Sequence, residues 1–458
     1  MTISDTFKKI HNLPLIDESF ALYENRIKRL DQLQKLLTEN ESAIYTALKK
    51  DLGKSEFESY LTEVALLHEE IKESKAELRS WMSPKTVGSP LAFFPCRSQI
   101  QYRPLGTVLI ISPWNYPVQL IFSPLVGAIA AGNNVVLKPS EIAPSVSSLI
   151  AELIPKYFQL EEIVVIEGGV DETSELLSQN FAHIFFTGST NVGKIVMEKA
   201  AKNLTPVTLE LGGKSPCLIF EEKNFDLAVK RTIWGKFMNA GQTCVAPDYI
   251  LLKKGEFDAF LESAKKWIKV FYGEDPLQSE SYGKIINLKH YDRLSELLNN
   301  ESPELKMPTD RDARHLGPTI LRANADSAAM QDEIFGPILP VIEVDDLNSA
   351  IEFVQQRPHP LSAYLFSSNP KDQITFKSRV QAGGLCLNDV VVHLTNKNLP
   401  FGGVGPSGLG SYHGKKSFLI FSHECSVMSR SYAFENSLRY PPGKNKLHLL
   451  KKILPWVS

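Results

Sequence analysis

Cysteine is scarce in this chain: there are five in 458 residues, at 96, 217, 244, 386 and 425, and no Cys-x-x-Cys pair. A sparse, odd set excludes a disulfide scaffold and a zinc ribbon and fits a reducing compartment, so a cytoplasmic location is expected. No run reaches the roughly 18 consecutive apolar residues that a membrane-spanning helix needs. Residues 1–12 lack the apolar core and positive flank of a secretory signal. Charge of one sign is missing too: 50 Lys and Arg against 52 Asp and Glu leave a formal net charge of -2, which gives no electrostatic ground for a nucleic-acid partner. No His-Glu-x-x-His or related zinc spacing occurs, and His393, His413 and His423 form no metal pattern, so no metal is expected; His413 and His423, among glycines and aromatics, read as structural hydrogen-bonding groups.

What is present suits two or three domains with large cores, since 43% of the residues are hydrophobic. Ile27, Leu30, Leu33 and Leu37 recur at helical spacing with Asp17 as a candidate N-cap, and Gly53 stops a second helix that begins near Asn40. Pro84, Gly88, Pro90 and Pro95 then break the pattern, and residues 99–103 alternate with a period of two, as an exposed edge strand does. From Gly106 onward, short apolar strands at 108–111, 135–137, 163–166, 184–186 and 207–209 alternate with helices around 120–131, 145–158, 173–178 and 192–201. That alternation implies an α/β, doubly wound parallel sheet covered by helices on both faces. A second α/β region follows to about residue 392, with strands at 249–252 and 338–344. Beyond the glycine-rich stretch at 401–408, an apolar strand is expected at 418–421. No repeat and no flexible linker interrupts the chain.

The chemistry-bearing residues gather in a few loops. Gly241-Gln242-Thr243-Cys244-Val245-Ala246-Pro247 sets a cysteine in a turn bounded by glycine and proline, and Val207-Thr208-Leu209-Glu210-Leu211-Gly212-Gly213 ends a strand in a carboxylate. A thiolate can form a covalent adduct with an electrophilic carbon, and a carboxylate can activate the water that releases it. Phe185-Phe186-Thr187-Gly188-Ser189-Thr190-Asn191-Val192-Gly193 reads as strand, glycine turn and helix start, where a dinucleotide diphosphate can rest. Its Gly-x4-Gly spacing, after the fourth strand of the series, departs from the Gly-x-Gly-x-x-Gly of ordinary dinucleotide folds.

At these three segments the chain resembles the aldehyde dehydrogenase superfamily, and the spelling from Gly241 to Asp248 is similar to its class 3 branch. The resemblance runs from Pro113 to Tyr412-His413-Gly414 with the motifs in order. It implies an aldehyde dehydrogenase fold: a Rossmann-like cofactor domain over 1–85 and 107–210, a second α/β catalytic domain over 211–392, and a small β oligomerisation or bridging element from 86–106 and 393–458. It implies Cys244 as nucleophile, Glu210 as general base, and Asn115 of Pro113-Trp114-Asn115-Tyr116-Pro117 as an oxyanion donor beside the Cys244 amide. For the cofactor it implies Lys138 and Glu141 on the adenosine ribose, Gly188, Ser189, Val192 and Gly193 at the turn, Glu333 on the nicotinamide ribose, and Phe335 beside the nicotinamide ring.

The implied reaction is oxidation of a medium-chain aliphatic or aromatic aldehyde to a carboxylic acid through a thiohemiacetal and thioester. A carboxylate at Glu141 favours NAD over NADP, with NADP use also expected because Lys138 is close by. A cysteine-dependent esterase and a catalytically silent relative are the alternatives. The class 3 resemblance also implies a homodimer, joined in part by strand pairing at 99–103. The basic, amphipathic tail at 446–456 is a candidate for peripheral membrane contact, with packing on the dimer surface as the plainer use.

Overall fold

The computed structural model describes residues 3–11, 23–299, 301–435, 437–444 and 446–457; the expected cap at Asp17 lies outside them. The helix Tyr23–Glu39 buries Leu30, Leu33 and Leu37, the face its spacing marks out. The next helix, Glu41–Leu52, ends at Gly53, whose left-handed φ of 71° closes the last turn onto Lys49.

Two parallel sheets carry the structure. The first has six strands in the order Gly408–Leu409, Val207–Glu210, His183–Thr187, Thr107–Ile111, Asn134–Lys138, Ile163–Val165. Every neighbouring pair is parallel except the outermost, Gly408–Leu409 on Val207–Glu210. Alternate residues of Thr107–Ile111 enter opposite cores: Val108 and Ile110 join the one that includes the helix Gln119–Ala131, and Leu109 and Ile111 join the one beneath the helix Thr190–Ala201. Strands covered on both faces read as unbroken apolar runs, which is why these five were legible. Strand order reverses between Thr107–Ile111 and His183–Thr187, so the crevice for a ligand opens beyond Ile111 and Thr187.

The second sheet has seven strands: Leu305–Lys306, Thr319–Arg322, Ile338–Val344, Tyr249–Lys253, Pro216–Ile219, Ser362–Phe366 and Gly384–Leu387. A third, antiparallel sheet joins Lys85–Val87, Cys96–Pro104 and Ser422–Arg430.

One expectation holds in part and one is corrected. Residues 99–103 lie on the middle strand of the third sheet, Cys96–Pro104, which pairs with Ser422–Arg430 along its whole length. On the other side Lys85–Val87 covers only Ser98, Gln99 and Ile100, so residues 101–103 have no strand partner there among the described residues. Residues 418–421 end the helix Lys415–Ile420, and the strand begins only at Ser422. Packing overrides the β-type composition: Phe418 lies against Trp81, and Gly127 brings its helix so near that a Cβ there would sit 2.5 Å from that of Ser417. The segment 393–458 also does more than bridge, since Gly408–Leu409 extends the first sheet. The helix expected at 173–178 starts earlier, at Val170, where Glu172 accepts the Gly169 N–H at 2.7 Å. The tail forms the helix Leu447–Val457 beside the turn Leu91–Phe93, and no helix among the described residues is long and apolar enough to cross a membrane.

One side chain ties the third sheet to the first. Buried Asn133 accepts from the N–H of Leu105 at 2.8 Å and of Gly106 at 2.9 Å, and donates to the carbonyl of Phe421 at 2.8 Å. Both chain crossings between the sheets thus close on one amide. Asn133→Ala leaves those groups unpaired and is expected to destabilise the fold by about 3 kcal/mol, read as a lower urea midpoint at unchanged slope; a loss under about 1 kcal/mol would show that the crossings are held elsewhere.

Candidate active site

The cysteine loop follows the helix Phe225–Phe237 through a tight turn, Met238–Gly241. Asn239 (φ 52°) and Ala240 (φ 51°) take left-handed backbone, which costs a non-glycine residue of order 1 kcal/mol or more. Gly241 has no alternative: its φ is 75°, and a Cβ there would lie 2.3 Å from the Gly336 carbonyl oxygen. Hydrogen bonds hold the strained turn. Gln242 Nε2 donates to the carbonyls of Asn239 and Lys284, each at 3.0 Å, its Oε1 accepts the Ile286 N–H at 3.0 Å, and the Tyr364 hydroxyl holds the Val245 carbonyl at 2.5 Å.

In the run from Gly241 to Ile250 only Cys244 keeps part of its surface open. Burial first, and then the Glu333 and Glu210 carboxylates, push its thiol up to about 12, while its own backbone N–H and that of Val245 act in the opposite sense. Glu210 ends the strand Val207–Glu210, is 3% exposed, and neither carboxyl oxygen has a hydrogen-bond partner among the described residues. Burial raises its pKa well above the usual carboxylate range. Glu333 leans on Gly212, where a Cβ would meet its Oε2 at 2.1 Å. Its pKa is raised to about 8 by burial and then by Asp248, against the Gly213 N–H, Lys214 and Arg293. Asn115, 2% exposed, donates its side-chain N–H to the Gln242 carbonyl at 3.0 Å, two residues before the cysteine.

Thus Cys244, Glu210, Glu333 and Asn115 converge from four loops. The sequence reading gave Glu333 a role on the cofactor alone, whereas here its carboxylate acts on Cys244 more strongly than that of Glu210 does.

Cys244 also lines an apolar cavity of about 230 Å³, walled by Leu120, Trp234, Met238, Val391, Phe401 and Tyr412. Sequence reasoning missed this wall, whose residues come from distant segments with no local pattern in common. A cavity of about 150 Å³ takes a benzene ring, so this one holds an aromatic ring or a medium alkyl chain.

On the other side of Glu210, its carbonyl accepts the Gly188 N–H at 3.0 Å, joining the catalytic strand to the glycine turn. Ser189 caps the helix Thr190–Ala201 by accepting from Val192 N at 3.4 Å, and Val192 is 41% exposed. Gly193 is buried, and a Cβ there would lie 2.6 Å from Leu211, so this glycine lets the helix close on the sheet. Lys138 is buried and donates to Pro139 O at 2.8 Å and to the exposed Glu141 carboxylate at 3.3 Å. Phe335 (φ 51°) meets Trp114 edge-on at 5.3 Å. A helix N-terminus, an exposed apolar side chain, an exposed carboxylate and two orphaned carboxyl oxygens along one crevice fit a dinucleotide. No group of three His, Cys, Asp or Glu among the described residues is placed to hold a metal ion.

Comparison with known proteins agrees with this geometry. The model of the aldehyde dehydrogenase family matches residues 21–427. The 4,4'-diaponeurosporen-aldehyde dehydrogenase of Staphylococcus aureus is 48% identical over 93% of this chain and 94% of its own. The dimeric NADP-preferring aldehyde dehydrogenase of Rattus norvegicus is 46% identical over 97% and 99%. A solved structure described as the substrate-bound state of Staphylococcus aureus AldH matches with a TM-score of 0.95 at 45% identity, covering 99% of this chain and 100% of that one.

A thiol raised to about 12 is almost wholly protonated at neutral pH, and its reactive thiolate grows as pH rises. In the nucleotide-free protein, alkylation of Cys244 by iodoacetamide should therefore climb roughly tenfold per unit from pH 7 to 9. The rise should bend down slightly where Glu333 ionises and adds negative charge. A plateau in that interval would mean that the thiolate is already formed at rest.

Proposed function

The chain belongs to the aldehyde dehydrogenase family and is an NAD(P)-dependent oxidoreductase that converts aldehydes to carboxylic acids; from that premise we propose that Cys244 is its nucleophile, Glu210 its general base and Asn115 an oxyanion donor. The observation that carries this reading is a buried carboxyl with no partner whose charge acts on a partly open cysteine at the base of an apolar cavity. Cys244 gives up its thiol proton to water, the thiolate adds to the aldehyde carbon, and the carbonyl oxygen gains the negative charge. The Asn115 side-chain N–H and the Cys244 amide stabilise that charge in the tetrahedral thiohemiacetal more than they do the planar aldehyde. NAD(P), when bound, would supply the acceptor for the hydride that leaves the thiohemiacetal carbon as the oxyanion collapses to a thioester. Glu210 then takes a proton from water, the hydroxide attacks the thioester carbon, and the acid leaves with the thiolate restored. A raised pKa serves this step, because a carboxylate that binds protons more tightly is a stronger base near neutral pH.

The apolar wall and the size of the cavity support medium-chain aliphatic or aromatic aldehydes as substrates. For the cofactor, Lys138 and Glu141 would hold the adenosine ribose, the turn and helix start from Gly188 to Gly193 the diphosphate, and Glu333 the second ribose. The exposed Glu141 carboxylate disfavours a 2′-phosphate but is free to swing away, so NAD is preferred and NADP accepted. A homodimer is supported by the word "dimeric" in the name of the rat relative and by the two open rims of the third sheet. Five free cysteines support a reducing, cytoplasmic setting.

Cys244→Ser should lower dehydrogenase turnover by roughly three orders of magnitude or more with nucleotide binding kept; turnover within about tenfold of the parent would remove Cys244 from the reaction. Glu210→Gln should give a burst of NADH followed by a slow steady state, because acylation precedes the blocked hydrolysis, and a full steady-state rate would dismiss Glu210 as the base. Measured as kcat/KM with each nucleotide, Glu141→Gln should improve NADP use more than NAD use; an unchanged ratio would show that Glu141 does not read the ribose.

A further inference from the structure

We propose that Lys54 and Glu63, an ion pair from the N-terminal helical region, are positioning residues that hold Asn115 in its oxyanion-binding geometry; this rests on the reading of Asn115 given above. Both side chains are fully buried, with Lys54 Nζ 2.5 Å from Glu63 Oε1. Burying two charges costs several kcal/mol of desolvation per ion, so such a pair is weak evidence for stability and asks for another explanation.

The buried Glu58 carboxyl lies within electrostatic reach of both, but the remaining hydrogen bonds given by the pair fall on one segment. Lys54 Nζ donates to the Asn115 carbonyl at 3.1 Å and stands 3.9 Å over the ring of Tyr116. Glu63 Oε2 accepts from Val118 N at 2.8 Å and Gln119 N at 3.2 Å, at the start of the helix Gln119–Ala131, where a carboxylate also suits the helix dipole. The segment from 115 to 119 is thus gripped at a carbonyl by the cation and at two amides by the anion. The same Asn115 carbonyl receives Asn239 Nδ2 at 2.8 Å. With its backbone held on both sides, the Asn115 side chain donates to the Gln242 carbonyl at the start of the cysteine loop.

The local fold has an unusual feature at this point. Glu63 lies on a π-helical turn, Tyr60–Val64, whose extra residue per turn changes which side chains face inward. From the same turn Leu61 and Thr62 line the cavity beside Cys244. One irregular turn therefore supplies both a wall of the substrate cavity and the support of the oxyanion donor. Glu58, just before it, accepts the N–H of Asn239 at 2.7 Å and steadies the opposing loop.

The test compares Lys54→Met, Glu63→Gln and Asn115→Ala in the full-length enzyme. Four quantities are read: the NADH burst rate with saturating aldehyde, acylation by p-nitrophenyl acetate without nucleotide, alkylation of Cys244 by iodoacetamide, and the NAD dissociation constant. Both acylations need the oxyanion hole, whereas alkylation and nucleotide binding do not. Loss of one oxyanion donor costs roughly 100- to 1000-fold, so displacing it should slow the burst and the ester acylation at least tenfold in Lys54→Met, with alkylation and NAD affinity within about twofold. Equal losses in all four would mean general loosening and would overturn the proposal, as would an unchanged burst. Glu63→Gln keeps the size and one acceptor of Glu63 and decides the matter if Lys54→Met does not fold. Should Asn115→Ala acylate at the parent rate, the role given to Asn115 fails; should it be impaired while both pair variants are normal, only the ion-pair proposal fails.

Discussion

The site depends on a clasp between two loops that belong to different sheets. Asn115, beyond the end of Thr107–Ile111, donates to Gln242, while Asn239 donates back to the Asn115 carbonyl at 2.8 Å and to that of Gln242 at 3.2 Å. Tyr116 and Thr243 add a hydroxyl pair at 2.6 Å. All but the Asn239–Gln242 bond run between residues more than a hundred positions apart, and all are buried, so each unmade partner would carry its full desolvation cost. The strain at Asn239 and Ala240 is held by the same network. Cys244 and Asn115 are held relative to one another because one clasp sets both loops.

Around the clasp, the electrostatics favours neutral resting groups. Cys244, Glu210 and Glu333 are raised chiefly by burial, and each carboxylate, once charged, opposes ionisation of the thiol. The cations nearby are engaged behind this front. Lys214 is held by Asp248 at 2.6 Å and by the carbonyls of Ala329 and Asp332, and burial lowers Lys236 to about 8. A cleft that keeps its nucleophile protonated protects it from adventitious oxidants and alkylating agents. Reactivity then requires that a positive charge or a proton acceptor be brought to the thiol.

The cavity adds the third constraint. Its wall combines residues of the irregular turn at Tyr60–Val64, the helix Phe225–Phe237 and the loops after Gly384–Leu387. Phe401 stacks on His413 at 5.3 Å, and burial depresses His413 to about 4, so it stays neutral in an otherwise apolar wall. His393, outside that lining, meets Ser362 at 3.1 Å and is likewise depressed to about 4 by burial.

By itself the sequence determined whatever rests on local chemistry. Five apolar runs marked the strands of the first sheet because strands buried on both faces permit little else, and Gly53 and Gly241 marked backbone turns that other residues resist. Cys244, Glu210 and Asn115 were legible because each sits in a short loop at the end of an element. Tertiary structure alone decided that 99–103 is a central strand and 418–421 the end of a helix, since edge or centre depends on which distant strand arrives, and helix or strand on what the side chains pack against. It also decided that the Glu210 carboxyl is buried without a hydrogen-bond partner among the described residues, and that Lys54 and Glu63 stand behind Asn115. Those relations join residues tens to hundreds of positions apart, and burial, which sets their energies, is a property of the assembled fold.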